Sequence, residues 1–185
     1  MVNMSNPNMD LVHYRKMSSA DHAGIMTVHR EAYIHAYTNV TPDITPEAIQ
    51  DHLSGDWVAS RIASRQQRIE SGRSSVQVAE LGGVVLGFCE VEPASISMIY
   101  VHPYRGRGIG SKLLAAGLST AQLPNRDVSL SVVPNTPAVN FYKNRGFRPT
   151  GRDLSAEFPR LRGGQILPQI ELVLPYDQEN ARPQD

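Results

Sequence analysis

The amino-acid sequence predicts an α+β domain in which a sheet of about seven strands carries helices on both faces. Two changes of pattern along the chain support this. In residues 21–70, apolar side chains such as Ile25 and Ala32 recur near the helical period. From Ser74 onward apolar and polar residues alternate, which is typical of strands, and helical segments then alternate with further strands. This order indicates N-terminal helices, three antiparallel strands in a row and a final portion of mixed helices and strands.

Turn and cap residues set the limits of these elements. Residues 18–21 supply a turn and a cap for the first helix, Thr45 and Pro46 begin the second, and Gly82 and Gly83 form a hairpin turn. The N-terminal helices are predicted at about 22–37, 45–53 and 56–70. The predicted strands are 11–17, 76–80, 84–92, 95–101, 128–133, 147–151 and 169–174.

Length, charge and cysteine content restrict the classes of protein to which this chain can belong. The 185 residues are expected to form one domain over residues 10–176, with a flexible leader at 1–9 and a loose polar tail at 177–185. Eighteen basic and eighteen acidic side chains cancel, which argues against a nucleic-acid-binding or membrane-surface protein. No secretory signal or bilayer-spanning apolar run is recognised. The single cysteine, Cys89, excludes an internal disulfide framework, so a cytoplasmic protein is expected.

Residues 99–114 predict a strand, a tight turn and a helix in succession. Gly106, Gly108 and Gly110 lie at every second position of the turn. Because glycine has no Cβ, the backbone can turn sharply there and bring its N–H groups close to an anion. The first turn of the following helix adds unpaired N–H donors and the positive end of its dipole, so the stretch is a candidate phosphate-binding loop. Three basic side chains flank it: Arg105, Arg107 and Lys112.

The pattern of this turn separates it from two other phosphate loops. A Walker loop requires Gly-Lys-Ser/Thr, but Lys112 follows Ser111. The dinucleotide fingerprint requires a third glycine where Ser111 stands, near the start of a repeated βαβ unit. Residues 105–110 instead follow the order Arg/Gln-x-x-Gly-x-Gly/Ala, directly after a strand that ends Tyr-Val-His-Pro. This signature resembles that of the GNAT (GCN5-related N-acetyltransferase) family.

A second block resembles the other signature of that family. Residues 135–147 read Asn-x-x-Ala-x-x-Phe-Tyr-x-x-x-Gly-Phe and follow a short strand. Thr136 is expected to cap the helix in this block, Pro137 to occupy its first position and Gly146 to end it. Two signatures in this order and at this separation rarely occur by chance, and the resemblance covers residues 74–150.

The resemblance implies both the sheet topology and the acetyl donor. It implies a GNAT-like mixed, mostly antiparallel sheet whose fourth and fifth strands, 95–101 and 127–133, run parallel and splay apart. The arm of acetyl-CoA is expected to lie in the gap and to pair with the backbone of Ile99 and Val101. Matching the family's remaining acetyl-CoA contacts to this sequence predicts a set from the glycine-rich turn and the second block: Arg105, Gly106, Arg107, Gly108, Ile109, Gly110, Ser111, Asn135 and Lys143.

The implied reaction is direct transfer of the acetyl group to a primary amine, which needs a neutral amine and an acid for the departing thiolate. Tyr142 matches the tyrosine that serves as this acid in the family. The glutamate that many members carry early in the fourth strand is absent, since residues 94–97 read Ala-Ser-Ile-Ser. Glu90 and Glu92 share one face of the preceding strand and are candidate bases acting through water. The six histidines lack metal-ligand spacing, so no metal site is expected.

The sequence leaves the acceptor amine open. In the family the acceptor site is built from the first two helices and neighbouring loops, which makes Tyr33 and Tyr37 candidate substrate walls, although core aromatics would look the same. A small-molecule amine is the first expectation. A protein or peptide amine and a catalytically silent acetyl-CoA-binding module are the alternatives. No nucleic-acid or membrane partner is expected, and a homodimer would agree with the dimers common in the family.

Overall fold

The computed structural model of the chain describes residues 7–38, 40–41, 43–121, 126–158 and 160–176. The strands within these residues are β1 (His13–Lys16), β2 (Ser75–Leu81), β3 (Val84–Glu92), β4 (Ser95–Val101), β5 (Val128–Val132), β6 (Arg148–Asp153) and β7 (Ile170–Leu174). The α-helices are α1 (His22–Tyr37), α2 (Pro46–His52), α3 (Asp56–Glu70), α4 (Ile109–Ala121) and α5 (Pro137–Lys143). The strands form one sheet in the order β1-β2-β3-β4-β5-β7-β6.

The sheet is antiparallel except at one junction. Strands β1 to β4 pair as antiparallel neighbours, and β7 pairs antiparallel with both β5 and β6. Strands β4 and β5 run parallel, because α4 crosses one face of the sheet between them. This is the mixed sheet with a parallel fourth and fifth strand that the sequence predicts, so the predicted fold class is confirmed.

Helices cover both faces of the sheet and leave three apolar clusters. On one face, α4 and α5 pack through residues such as Leu113 and Tyr142, and this side is called the α4 face. On the other, α1 and α3 pack against the sheet around Ile25 and Phe88, and this side is called the α3 face. A third cluster joins α2 to the segment between β6 and β7 and to the end of β5: Ile44, Ile49, Leu53, Val133, Leu161 and Leu167.

Local signals explain most of the helix ends. Thr45 Oγ1 accepts a hydrogen bond from the N–H of Ala48 at 3.2 Å, and Pro46 is the first residue of α2, as predicted. Helix α3 has its predicted bounds. Gly146 has a φ of +88° and follows α5, which agrees with its predicted role as a stop.

Besides shifts of one or two residues at the ends of other elements, two details of the predicted elements are wrong. β1 begins at His13 rather than at residue 11, because the Asn8 side chain accepts from the N–H of Asp10 and turns residues 9–11 into a single 3₁₀ turn. Thr136 does not cap α5 through its side chain. Its Oγ1 donates to the carbonyl of Val133 at 2.8 Å, so the hydroxyl is used by the chain leaving β5.

The two ends of the predicted domain are only partly described. Residues 1–6 of the predicted leader and the predicted tail at 177–185 lie outside the described residues. Met9, from the end of the predicted leader, packs against the core of the α4 face. In the described part of the chain no helix is both long enough and apolar enough to cross a membrane. The division of the chain into leader, domain and tail stays a prediction.

Gly117 of α4 approaches β3 so closely that a side chain has no room there. A Cβ at this position would lie 2.6 Å from Cys89 Sγ and 3.1 Å from a methyl group of Val91. Both of these side chains are buried. The small size of Gly117 therefore sets the distance between α4 and the centre of the sheet.

We expect Gly117→Ala to lower the free energy of unfolding by about 1–3 kcal/mol, because overpacking outweighs the gain of about 1 kcal/mol that alanine brings to a helix. Equilibrium unfolding in denaturant measures this change. Ser119→Ala, on the exposed side of the same helix, is the control. Adding Cys89→Ala to Gly117→Ala is expected to recover part of the loss, whereas a Gly117→Ala variant more stable than the parent protein would contradict the close approach.

Candidate active site

Strands β4 and β5 form a fork. They pair only at Ser95 with Ser129 and at Ile96 with Leu130. β4 then continues to Val101 with no strand on that side in the part of the chain that the structure describes. A strand edge of this kind presents backbone N–H and C=O groups that can pair with an extended ligand. The fork is therefore a candidate channel for the predicted arm of acetyl-CoA.

A β-bulge lies where the fork opens. Ile96 is opposite Val91 and Met98 is opposite Glu90, which leaves Ser97 as an extra residue in β4. Ser97 Oγ donates to the carbonyl of Glu90 at 3.0 Å. Because a bulge bends its strand and increases the local twist, β4 changes direction directly after its last residue paired with β5.

The predicted phosphate loop connects the open end of the fork to α4. Gly106 and Gly108 have φ values of +74° and +82°, and a Cβ on either would meet no atom within 4 Å. Gly110 lies in the first turn of α4 without a positive φ, and a Cβ there would make only ordinary contacts, 3.6 Å to Phe141 and 3.7 Å to Val101. Backbone conformation therefore requires the first two glycines. A side chain at the third would not clash with the described chain, and its contact with a cofactor stays a prediction.

The start of α4 has N–H groups available for an anion. The carbonyl of Gly108 accepts from the N–H groups of Ser111 and Lys112 at 3.1 and 3.2 Å. The N–H groups of Gly108, Ile109 and Gly110 donate to no backbone carbonyl among the described residues. Such donors at a helix N-terminus bind phosphate. Of the predicted basic residues, Arg105 and Arg107 are exposed beside this turn, whereas the Lys112 ammonium lies 5.3 Å from the ring centroid of Tyr14.

Arg145 joins the two sequence signatures. Its Nη2 donates to Ser111 Oγ at 2.5 Å, and its Nη1 donates to the carbonyl of Phe141 at 2.7 Å. The guanidinium also stacks on the ring of Phe141, 3.8 Å from its centroid. The sequence analysis missed this role, although Arg145 lies inside the second signature. Ser111, a predicted cofactor contact, thus already has one hydrogen-bond partner in the protein.

Tyr142 is buried beside the fork, packed between the rings of Phe141 and Phe147. Burial, and after it the neighbouring Tyr37, raise the pKa of Tyr142 above its ordinary value. Tyr100 of β4 packs on the α3 face, and its hydroxyl oxygen is 3.3 Å from that of Tyr37. Tyr142 is therefore protonated at neutral pH, and its role as an acid stays a prediction.

The two predicted acceptor-site tyrosines belong to an aromatic cluster around His29. The rings of Tyr33 and Tyr37 meet edge to face, with centroids 4.4 Å apart. Burial, the largest cause, lowers the pKa of His29 to about 3, so this histidine is neutral and structural at physiological pH. Four rings have centroids within 4.8 to 6.2 Å of that of His29: Tyr33, Trp57, Phe88 and Tyr100. A contact of Tyr33 or Tyr37 with substrate stays a prediction.

Glu90, one of the two predicted bases, is fully buried and held by arginines of α3. Its Oε2 accepts from Arg65 Nε at 2.8 Å, and its Oε1 accepts from Arg68 Nη2. Burial alone raises the pKa of Glu90, but the charges and hydrogen bonds of the two arginines outweigh it and hold this pKa below its ordinary value. A carboxylate held in this way, with no exposed surface, is poorly placed to take a proton from an amine. The geometry instead assigns Glu90 to anchoring α3 on the sheet.

Glu92, the other predicted base, has a different environment. Its side chain is 41% exposed, and its Oε1 lies 3.5 Å from Arg68 Nε. It lines a cavity of about 360 Å³ on the α3 face, at the closed end of the fork, and Glu90 does not. Of the two predicted bases, Glu92 is therefore the one that an acceptor in this cavity could reach through water.

The sequence analysis missed this cavity. Serines at alternate positions of two neighbouring strands form part of its lining: Ser95, Ser97, Ser129 and Ser131. Arg61 and Arg68 of α3 line it on the side of β4, and Glu157 and Glu171 line it on the side of β7. The signal that could have revealed it is the spacing of three arginines, at residues 61, 65 and 68, along one face of a predicted helix.

The remaining predicted contacts are distributed around the fork. The side chains of Ile99 and Val101 pack against the core of the α4 face, while their backbone lies on the unpaired stretch of β4. Asn135 is exposed, with a φ of +59°, in the turn before α5, and Lys143 is exposed at the end of that helix. Contacts of these residues with a cofactor stay predictions. Within the described ranges no group of three or more His, Cys, Asp or Glu side chains is arranged to hold a metal ion.

The central part of the chain matches a model of a known protein family. Residues 72–149 match the family model described as an acetyltransferase (GNAT) domain. This is the region that carries both sequence signatures, so the predicted family is confirmed for it. No curated protein sequence is significantly similar to the chain.

Solved structures share the fold over almost the whole chain. PaiA N-acetyltransferase from Thermoplasma acidophilum, in complex with coenzyme A, is 18% identical with a TM-score of 0.70, covering 89% of this chain and 99% of that one. YncA from Salmonella typhimurium, with its cofactor acetyl-CoA, is 21% identical with a TM-score of 0.64 and coverages of 94% and 98%. Ribosomal-protein-alanine N-acetyltransferase from Brucella melitensis is 21% identical with a TM-score of 0.63 and coverages of 87% and 98%. At these identities the similarity establishes a common fold.

We expect Glu90→Gln to lower the free energy of unfolding by about 3–5 kcal/mol, because it leaves the buried Arg65 without its counter-charge. Glu92→Gln is the matched control, and we expect it to change that free energy by less than about 1 kcal/mol, since its partner is partly solvated. Denaturant unfolding at pH 7 measures both, and equal losses in the two variants would contradict the anchoring role.

The depressed pKa of Glu90 gives this prediction a pH dependence. The stability that the ion pair adds is present above the carboxyl's unfolded pKa of about 4.3 and is lost as the pH falls through the lower pKa of the folded state. The difference between the parent protein and Glu90→Gln should therefore shrink in acid. A difference that stays constant from neutral pH into acid would argue against an ionised Glu90.

Proposed function

We propose that this chain, which carries a GNAT acetyltransferase domain at residues 72–149, transfers the acetyl group of acetyl-CoA directly to a primary amine of a small-molecule acceptor. The observation that carries the proposal is the fork itself. An unpaired strand edge, a phosphate-type loop at its open end and a polar cavity at its closed end follow one another along β4. This arrangement suits a long donor with phosphates at one end and a reactive group at the other.

The residues present fit acetyl-CoA, which supplies the acetyl group as a thioester. We assign the pyrophosphate to the loop at Gly106–Gly110 and the start of α4, where N–H groups are available. The backbone of Ile99 and Val101 is assigned to the pantetheine arm, because it lies on the unpaired edge of β4. Arg105, Arg107, Asn135 and Lys143 are assigned as further contacts. The complexes of PaiA with coenzyme A and of YncA with acetyl-CoA, on the same fold, support this donor.

Tyr142 is assigned as the acid for the departing thiolate. In the reaction the acceptor nitrogen forms a bond to the acetyl carbon while the carbon–sulfur bond breaks, the amine loses one proton and the thiolate gains one. Its hydroxyl is protonated at neutral pH, so it can donate a hydrogen bond to the departing sulfur and supply the proton that the thiolate gains. The rigid packing against Phe141 and Phe147 holds the hydroxyl in place beside the fork.

Glu92 is assigned as the group that removes the amine proton through water. A free alkylammonium has a pKa near 10, so a proton must leave before the nitrogen can attack. Glu92 is the predicted base that lines the cavity. Glu90 contributes indirectly, because it holds the arginines of α3 beside that cavity.

A small acceptor is favoured over a protein or peptide amine by the size of the cavity. About 360 Å³ is within the range of small-molecule sites, and this cavity continues the closed end of the fork. A protein or peptide amine is the alternative acceptor, because a ribosomal-protein-alanine N-acetyltransferase has the same fold. The cytoplasmic location and a homodimer, both expected from the sequence, stay predictions.

Thiol release from acetyl-CoA tests the proposed function directly. We expect release with small amines and little with peptides when polyamines, aminoglycosides, amino acids and short peptides are compared. Calorimetric binding of acetyl-CoA on the same protein separates the alternatives. Tight binding without release from any amine would favour a catalytically silent binding module, and absent binding would contradict the assignment of the fork.

We expect Tyr142→Phe to lower kcat by about 10²-fold or more, because the thiolate loses its proton donor, while the affinity for acetyl-CoA is unchanged. Single-turnover measurements isolate the chemical step, and calorimetry measures the affinity. Tyr176→Phe, at the end of the last strand, is the matched control and should keep full activity. An unchanged rate of the chemical step in Tyr142→Phe would remove this tyrosine from the mechanism.

A further inference from the structure

Arg61 of α3 lines the cavity with its guanidinium group. It forms no ion pair with any residue that the structure describes. Its contacts are the ring of Trp57, 5.6 Å from the centroid, and Met98 Sδ at 3.8 Å. Burial, followed by the charges of Arg65 and Arg68, lowers the pKa of Arg61, and the more distant charge of Glu90 only partly offsets this. A partly desolvated cation beside other cations costs free energy unless an anion pairs with it.

The α3 side of the cavity carries an excess of positive charge. Arg61, Arg65 and Arg68 lie on one face of α3, and Glu90 accepts from the second and third of them. Glu92 adds a second carboxylate, but at 3.5 Å it makes no hydrogen bond with Arg68 Nε, and this buried nitrogen has no hydrogen-bond partner among the described residues. Three guanidinium groups therefore face two carboxylates on this side.

The opposite side of the cavity carries negative charge. Glu157 and Glu171 share a single arginine, Arg152, at 3.3 and 3.0 Å. Glu171 also accepts from Thr150 Oγ1 at 2.8 Å. In the sheet β7 lies beyond β5, whereas α3 contacts β3 and β4 through Glu90 and Met98. The cationic and anionic sides therefore lie on opposite flanks of the fork.

Neutral hydroxyl groups separate these two sides. The serines of β4 and β5 line the cavity between Arg61 and the glutamates. They can donate to or accept from a polar ligand without adding charge. A ligand with one anionic and one cationic end matches this distribution better than a polyamine, which is cationic throughout. It also matches better than the N-terminus of a peptide, whose carboxylate is many residues from its amine.

We propose that the acceptor is an amine that also carries a free carboxylate, an amino acid or a derivative of one, and that Arg61 binds the carboxylate. The planar guanidinium can bind both carboxylate oxygens at once, which fixes the orientation of the ligand. The ammonium group then lies toward Glu157 and Glu171 before it loses its proton, and the water that carries this proton to Glu92 crosses the serine-lined part of the cavity. This inference rests on the proposed acetyl transfer and names the class of its acceptor.

The kinetic test compares amino acids with their methyl esters in the thiol-release assay. The ester keeps the amine and removes the negative charge, so we expect kcat/KM to fall by at least about tenfold, the worth of a charged hydrogen bond. Arg61→Gln should abolish this discrimination, and Arg61→Lys should keep part of it. Arg30→Gln, an exposed arginine of α1 outside the cavity, is the matched control.

A binding measurement makes the test independent of turnover. Calorimetry on the protein with coenzyme A compares N-acetyl amino acids with their methyl esters, and we expect selective binding of the free acids that is lost in Arg61→Gln. Carboxylate-selective binding without thiol release from any amine would support the cavity assignment and overturn the proposed function. Equal turnover or equal binding of acids and esters, or turnover of peptides in preference to amino acids, would overturn the inference while leaving acetyl transfer intact.

Discussion

The separation of β4 from β5 after Ile96 is the constraint on which the candidate site depends. Pairing along the whole of β4 would satisfy its edge and close the channel. The bulge at Ser97 bends β4 where this pairing stops, and Glu90 beside it makes two kinds of contact. The backbone carbonyl of Glu90 accepts from Ser97 Oγ, and its carboxylate accepts from Arg65 and Arg68. One residue thus links the opening of the fork to the helix that borders the cavity.

Around the fork, the more deeply an ionisable group is buried, the more completely its charge is paired or absent. The deepest carboxylate, that of Glu90, is paired with two arginines, and the buried His29 is neutral. Tyr142 is buried and protonated beside the channel. Arg61 departs from this pattern, because it is partly desolvated and forms no ion pair among the described residues, although the charge of Glu90 acts on it from a distance. A folded protein tolerates such a group where a ligand completes the pair.

The sequence predicts the part of the site that depends on local backbone. The glycine-rich turn and the block from Asn135 to Phe147 each combine a turn, a cap or stop and a helix, so their structure follows from residues close together in the chain. The positive φ values of Gly106 and Gly108 are of this kind. The parallel pair of strands was expected through the family resemblance that these blocks carry.

The part that depends on register and packing was not predictable from the sequence. Alternation places Glu90 and Glu92 on one face of β3. The position of the α3 arginines then decides that Glu90 anchors the helix and that Glu92 lines the cavity. The hydroxyl of Thr136 was expected to cap α5, but it donates to the carbonyl of Val133 at the end of β5. The bulge at Ser97 has no signal in the alternation of β4. The cavity itself requires three elements that are distant in sequence.

Hydrogen–deuterium exchange of the backbone amides, with and without acetyl-CoA, tests most directly whether the fork holds the donor. When acetyl-CoA is added, we expect protection of two segments: residues 97–101, the part of β4 that has no partner on the side of β5, and the turn from Gly106 to Gly110. The amides of β1 and β2, which are paired within the sheet, should not change. Binding without protection of residues 97–101 would contradict the account, because the donor would then lie outside the fork.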